Sequence, residues 1–417
     1  MKLMMRKLTL LHIVLISLVI LSVQPQWTAL AGTQIQVNTT ADEINNDGDC
    51  SLREAIQAAN TNLPVDACPA GVFDSPDDIL IPSGTYTLSV PGTSENEGLT
   101  GDLDITESVN LLGSGTGTTI LNANHIDRVL EISGSTTVNI SRLTITGGMA
   151  PFESSQSRGG GLLVKGSTVT LERVMVRNNQ ASTSGGGIDN FGGRLTITDS
   201  TLRENQALRG GGVYNGNSLV ITRSLVAANT ASQNGGGVDN FDTAVLENAT
   251  FSGNSAGNNP ETGDGLGGGI FSDGIVSMVN VTMRNNTGAA FNNEGEGRLV
   301  NVIMAANGPA NCVGPITSEG HNIEDKNTCS FNGTGDQPDT APLLESLENN
   351  GGYTLTFALQ QLSPAIDQGD PSRCPEVDQR GAWRPADGDG NGSAICDIGS
   401  FEHDAIFGNL YLPLVKK

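Results

Sequence analysis

The string Asp387-Gly388-Asp389-Gly390-Asn391-Gly392 sets three oxygen-bearing side chains at alternate positions and ends on a glycine. These match positions 1, 3, 5 and 6 of an EF-hand loop, where hard oxygen ligands surround calcium and the glycine permits the sharp turn. Position 12, which would supply a bidentate glutamate, is Ile398, and Asp397 stands one place early. The expected ligand set is Asp387, Asp389, Asn391 and Asp397, with calcium as the one candidate cofactor; the plainer reading is an acidic, glycine-rich loop. A second pair, Asp189 and Asp239, occupies equivalent positions two repeats apart, with Tyr214 between them. Stacked at the parallel-strand spacing, the two carboxylates stand about 10 Å apart, slightly beyond the roughly 6.5–9.5 Å of inverting glycosidases. They are the catalytic candidates if the chain is an enzyme, and solvated turn residues if it is not. No pectate-lyase or polygalacturonase catalytic string accompanies them: Gly320-His321-Asn322 is not the Gly-His-Gly of the latter. Nor does an Arg or Lys stand beside an acidic cluster in a repeated frame.

The frame that must position these residues is a repeat. Glycine clusters begin at Gly159, Gly185, Gly210, Gly235, Gly267 and Gly288, at spacings of 26, 25, 25, 32 and 21 residues. A period in this range indicates a repeat architecture. Within each period apolar or small residues hold fixed offsets before a closing Asn: Val169, Leu171, Val174, Val176 and Asn179, then Leu195, Ile197, Ser200, Leu202 and Asn205, then Leu219, Ile221, Ser224, Val226 and Asn229. That is a two-residue alternation, a turn, and a second short alternation, with no helical spacing within the repeats. In register, Asn179, Asn205, Asn229, Asn254, Asn286 and Asn307 form one ladder that satisfies buried backbone at a corner. The glycines take the opposite task, accepting positive φ and close backbone approach. The expected fold is all-β, a right-handed parallel β-helix. Earlier coils are expected from Asp78 onward, with Ile79, Ile81, Leu103, Ile105, Val109, Leu111, Ile120, Leu130 and Ile132 facing inward. Two polar insertions, around Met149 to Arg158 and Gly257 to Leu266, are expected to protrude from one corner.

Composition narrows the partners. With 22 Lys and Arg against 45 Asp and Glu the net charge is −23. Nucleic acid and anionic lipid both require a basic face and are excluded as partners. Lys2, Arg6 and Lys7, the apolar run Leu8 to Val23 and the Ala29-Leu30-Ala31 site read as a secretory signal peptide cut before Gly32, the other reading being an uncleaved anchor, and no other stretch is expected to span a bilayer. Trp383 is then the one remaining tryptophan, few rings for a lectin surface. The six cysteines fall in local pairs, Cys50 with Cys68, Cys312 with Cys329 and Cys374 with Cys396, and all flank the repeats. In an exported chain an even, clustered set reads as disulfides. Of the fifteen connectivities six cysteines allow, the nearest-neighbour one is favoured because each pair sits in its own module. Metal ligation is the other possibility; there is no CxxC, and the four histidines are scattered.

Ser51 and Glu54 form a capping-box pattern that opens a helix with Leu52, Ala55, Ile56 and Ala59 on one face. An open end of a β-helix exposes apolar interior and strand edges, and such a helix covers both. The stretch NDGDCSLREAIQAAN resembles the CSLREA domain found near the amino terminus of bacterial exported β-helix proteins. Toward the other end, Asn350 to Gly352, Thr354, Ser363 to Asp367, Asp378 to Gly381, Arg384, Pro385 and Cys396 to Glu402 are similar to the choice-of-anchor Q domain. The glycine repeats resemble, more loosely, those of polymorphic outer-membrane proteins. The resemblance implies an exported protein held at the cell surface, although HDAIFGNLYLPLVKK carries neither an LPxTG motif nor a closing apolar helix.

The expected organisation is a signal peptide over 1–31, an N-terminal helical cap over 32–75, the β-helix over 76–310, a disulfide-closed C-terminal cap over 311–405 and a tail over 406–417. The leading functional reading is a secreted or cell-surface non-catalytic scaffold that meets extracellular polysaccharide or cell-surface components. The rival is a polysaccharide lyase or glycoside hydrolase working through an acidic groove on one face. Acids with an Arg or Lys in hydrogen-bond reach in such a groove favour the rival, and an uninterrupted polar face favours adhesion.

Overall fold

The computed structural model describes residues 32–93, 95–151, 157–257 and 267–407. The signal-peptide residues, the centres of both insertions and the last ten residues lie outside them.

The chain coils into a parallel β-helix with three long sheets. Sheet one has eleven strands, from Gln34–Gln36 through Thr168–Glu172, Arg194–Thr198 and Ser218–Thr222 to Thr317–Gly320. Sheet two has nine, from Leu103–Ile105 through Ile188–Phe191, Val213–Asn215 and Val238–Asn240 to Cys312–Val313, and sheet three has ten, from Gly84–Thr87 through Met175–Arg177 and Thr201–Arg203 to Ile323–Glu324. From Leu103 to Glu324 each coil contributes one strand to each sheet in the order two, one, three. The alternations seen in the sequence are the strands of sheets one and three. The strand that follows each glycine cluster, in sheet two, has no such signal, because outward Asp189 and Asp239 are as buried as their inward neighbours.

Register is strict wherever one face is buried, since a one-residue slip would turn a whole apolar set outward. Val169, Leu195, Leu219 and Ala244 stack coil on coil, as do Leu171, Ile197, Ile221 and Leu246. One expectation is corrected: Ile120 points outward and Leu121, fully buried, faces the interior opposite Tyr86. Thr119-Ile120-Leu121 offers apolar residues of both parities, so only the neighbouring strand decides.

The Asn ladder forms as expected. Each Nδ2 donates to the next Oδ1 at 3.0–3.1 Å from Asn179 to Asn307. A second ladder, unrecognised in the sequence, runs through Asn190, Asn215 and Asn240 at 2.7–2.8 Å and ends on Ser272. The glycine clusters divide their task by position. Gly210 has φ +60°, whereas Gly211 is needed for space: a Cβ there would stand 2.5 Å from the carbonyl oxygen of Thr230 and 2.6 Å from that of Gly236.

At the amino-terminal end the helix Leu52–Thr61 starts on the capping box, with Ser51 Oγ accepting from Glu54 N at 3.2 Å and Glu54 Oε2 accepting from Ser51 N at 2.9 Å. Its buried Ala55, Ile56, Ala58 and Ala59 join the interior of the coils. Arg53, buried and paired to Asp42 at 2.6 Å, donates to the carbonyls of Gly98, Gly101 and Asp102, tying the helix to the first coils. The three disulfides join Cys50 to Cys68, Cys312 to Cys329 and Cys374 to Cys396. Replacing Cys50 and Cys68 together by Ser is expected to lower unfolding free energy by about 3 kcal/mol, the chain-entropy value for a loop of this size. Urea midpoints of the two proteins measure it, and equal midpoints would refute it.

The carboxy-terminal segment does more than close an end. It lies along the turn between sheets one and three, where Asn248 Nδ2 donates to Val377 O, Asn280 Nδ2 to Asp397 O and Gly399 O, and Thr250 Oγ1 to Gln379 Oε1. Within it, buried Arg384 pairs with Glu402 at 3.1 Å and donates to the carbonyls of Asp397 and Gly399.

Candidate functional site

The outward positions of sheet two form one column, in coil order Asp104, Glu131, Leu163, Asp189, Tyr214, Asp239, Phe271 and Asn292. Asp189 and Asp239 therefore stand two coils apart with Tyr214 between them, as the repeats imply. They are not solvated turn residues: both lie on strands and are fully buried. Asp189 Oδ2 accepts from Ser184 Oγ at 2.5 Å and Asp239 Oδ2 accepts from Arg209 Nε at 2.8 Å, while each Oδ1 has no hydrogen-bond partner. Burial pushes the Asp189 carboxyl up to about 6, Ser184 and Arg158 pulling against it, and the Asp239 carboxyl up to about 7 against the pull of Arg209. At 2.8 Å the Arg209 pair is well formed, yet desolvation outweighs it, because a guanidinium one-quarter exposed on its side chain is partly screened by water.

An Arg beside these acids was not visible in the repeat frame. Arg209 belongs to the coil of Tyr214 and reaches the acid of the following coil, a contact one period and five residues from the local alignment. The rings above the column also come from separate coils. Phe191 and Phe241 occupy the same offset two coils apart and are exposed, with Gly216 between them. Arg158 lies 4.8 Å from the Phe191 ring centroid and Arg209 4.7 Å from that of Phe241, and the Tyr214 and Phe241 rings are 5.6 Å apart. Few rings were expected to remain for carbohydrate; the fold gathers three on one face.

Farther along the same column lies an acidic group that the sequence reading missed, because these coils precede the glycine triplets. Asp102, Asp104 and Glu131 have carboxylate oxygens within 4.8 Å of one another, and all are buried. Arg128 contacts Asp102 at 3.1 Å and Glu131 at 2.8 Å, and Lys165 contacts Glu131 at 2.5 Å. Burial holds Asp104 near 7 and Asp127 near 6.

The calcium candidates divide. Asp367, Asp387 and Asp389 have carboxylate oxygens within 4.8 Å of one another. Asn391 donates through Nδ2 to Asp389 at 2.8 Å, and its Oδ1 accepts from Ser393 N. Asp397 is buried and accepts from Asp367 N and from His403 N, beside Glu402. Asp367 was missed because it lies twenty residues before the loop, outside the linear motif.

No protein-family model matches the chain, and no curated protein matches it. A solved structure is similar. It is a crystal structure of pectate lyase Pel9A, 16% identical, with a TM-score of 0.47 over 90% of this chain and 98% of that one. Among the described residues no helix is long and apolar enough to cross a membrane.

Proposed function

We propose that the protein is an extracellular, non-catalytic β-helix that binds polysaccharide along the outer face of sheet two. One observation carries the reading: the acids of this face are sealed beneath it, while the groups left exposed over them are aromatic rings backed by guanidinium groups. Phe191 and Phe241, two coils or about 10 Å apart, present flat apolar surface of the kind on which sugar rings stack. Arg158 and Arg209 add donors for hydroxyl or carboxylate oxygens. Two rings set two coils apart on one face suit a polymer running along the axis. The three disulfides fit an oxidising compartment outside the cytoplasm.

The second reading, a polysaccharide lyase or hydrolase, has its own support in the feature expected to favour it, an Arg in hydrogen-bond reach of an acid on this face, Arg209 on Asp239 at 2.8 Å, and in the Asp239 carboxyl, held near 7, since a group titrating near neutrality suits general acid or base work. Affinity electrophoresis through a panel of acidic and neutral polysaccharides, with product release measured in parallel, separates the two. Under the binding reading at least one polymer retards the protein, the Phe191→Ala/Phe241→Ala double variant loses tenfold or more in affinity, and no product appears. Reducing-end or unsaturated products abolished by Asp239→Ala would replace it with the enzymatic reading, and unaltered retardation of the double variant would remove the ring face from either.

A further inference from the structure

We infer that a cavity at the turn between sheets one and three, on the far side of the coil from the Asp189 column, binds a carboxylate-bearing sugar ring. The cavity has a volume of about 270 Å³, and its walls include Arg142, Arg173, Asp199 and Tyr353. That is just below the roughly 300–1,000 Å³ of pockets for drug-sized ligands, so it has room for one ring and not for a chain.

Its charge comes from the coil turns. Arg142, Arg173, Asp199 and Arg223 take the same left-handed corner in successive coils, at φ +55°, +54°, +50° and +47°. Backbone bonds join them in order, from Arg142 N to Glu172 O, Arg173 N to Thr198 O and Asp199 N to Thr222 O, which sets neighbours one coil apart. Asp199 does not neutralise the two arginines before it, because Arg223 holds both its oxygens at 2.8 and 3.1 Å. Among the described residues Arg173 has one ion-pair partner, Glu172, at 3.5 Å with both side chains more than a third exposed, a contact worth little in water. Arg142 is exposed and has no ion pair among the described residues. Two adjacent guanidinium groups without a committed anion, in a chain of net charge −23, are a recognition site for an anion.

The remaining walls specify a ring. The aromatic ring of Tyr353, brought from the carboxy-terminal segment, lies 4.1 Å from the Arg173 guanidinium and is 60% exposed. Val174 and Met175 supply apolar surface, and Thr116 and Thr201 supply polar groups at the rim. An apolar ring face, several hydroxyls and one carboxylate are together the description of a uronate residue. A bare anion would leave the Tyr353 and Met175 surface unused, and a neutral sugar would leave the arginines unpaired.

The site is independent of the sheet-two face, and its test keeps the two apart. Isothermal titration of the secreted, disulfide-intact protein is run with a galacturonate trisaccharide, a glucuronate-containing trisaccharide, the neutral galactose trisaccharide and inorganic sulfate. Saturable binding of at least one uronate, with the neutral sugar and sulfate at least tenfold weaker, is the expected result. Arg142→Gln and Tyr353→Ala each weaken uronate binding tenfold or more while melting temperatures stay unchanged, as both side chains are exposed. The Phe191→Ala/Phe241→Ala protein binds the trisaccharide as the parent does, whatever becomes of its polymer binding. Absence of saturable uronate binding, equal binding of sulfate, or parental affinity in both pocket variants would overturn the inference.

Discussion

The melting temperature of the protein falls as pH rises from about 5 to 8, and Asp239→Asn flattens that fall. Eight buried carboxyls among the described residues stand above their ordinary value, chiefly through burial: Asp189 and Asp127 near 6, Asp104 and Asp239 near 7, Asp397 near 8, and Asp77, Asp102 and Glu402 also raised. A carboxyl whose folded-state pKa exceeds its unfolded value of about 4 binds its proton more tightly in the native chain. Its stabilisation is complete below pH 4 and is lost as pH climbs through the folded value. The Asp239 displacement, about three units, corresponds to a cost on the order of 4 kcal/mol between mildly acid and alkaline pH. Asn has the shape of the protonated acid and no charge to desolvate. Arg209 keeps its place over Phe241 with part of its side chain in water, so it is not stranded. The variant should match the parent near pH 4 and exceed it near pH 8. Parallel melting curves across that range, or a parent whose stability climbs toward pH 8, would show that ion pairing and not burial sets these groups.

Asn205→Ala is expected to cost about 4 kcal/mol. Its Oδ1 accepts from both Asn179 N and Asn179 Nδ2 at 3.1 Å, and its Nδ2 donates to Val176 O and Asn229 Oδ1 at 3.0 Å. All three asparagines are buried, so no water replaces what alanine removes. A buried polar group left without a partner costs roughly 1–3 kcal/mol; Asn179 N loses its acceptor, and Val176 O, Asn179 Nδ2 and Asn229 Oδ1 each lose one bond. The ladder also transmits the loss, since each rung orients the next. Urea midpoints read it against Thr196→Ala on the outer face of sheet one, where a change within about 0.5 kcal/mol is expected. Equal midpoints for the two variants would show that the ladder is an ornament of the turn and not its support.

Much of the scaffold was legible in the sequence because a β-helix sets each residue against its own counterpart one period away. Val169, Leu195 and Leu219 can be aligned in text and then found stacked, and the same holds for Asn179 through Asn307. The capping box at Ser51 and Glu54 and the three cysteine pairs were legible because their partners are near in the chain. The ladder through Asn190, Asn215 and Asn240 was equally periodic, and was overlooked because the strand carrying it shows no apolar alternation.

What the repeat could not fix is what passes between unlike positions. Arg209 meets Asp239 diagonally across two coils, and Asp104 joins Glu131 in coils that lack the glycine mark. Asp397, from the linear motif, is buried and accepts from Asp367 N, and Asp367, from outside the motif, joins Asp387 and Asp389. Tyr353 reaches the Arg173 turn only because Asn248, Asn280 and Thr250 hold the carboxy-terminal segment along that corner. The sequence by itself determined the coil, its strands, its ladders and its cross-links, all of which rest on hydrogen bonds and apolar contacts between equivalent or adjacent residues. The tertiary structure alone decided burial and charge pairing at the candidate sites, because desolvation depends on everything that surrounds a side chain and not on its place in a period.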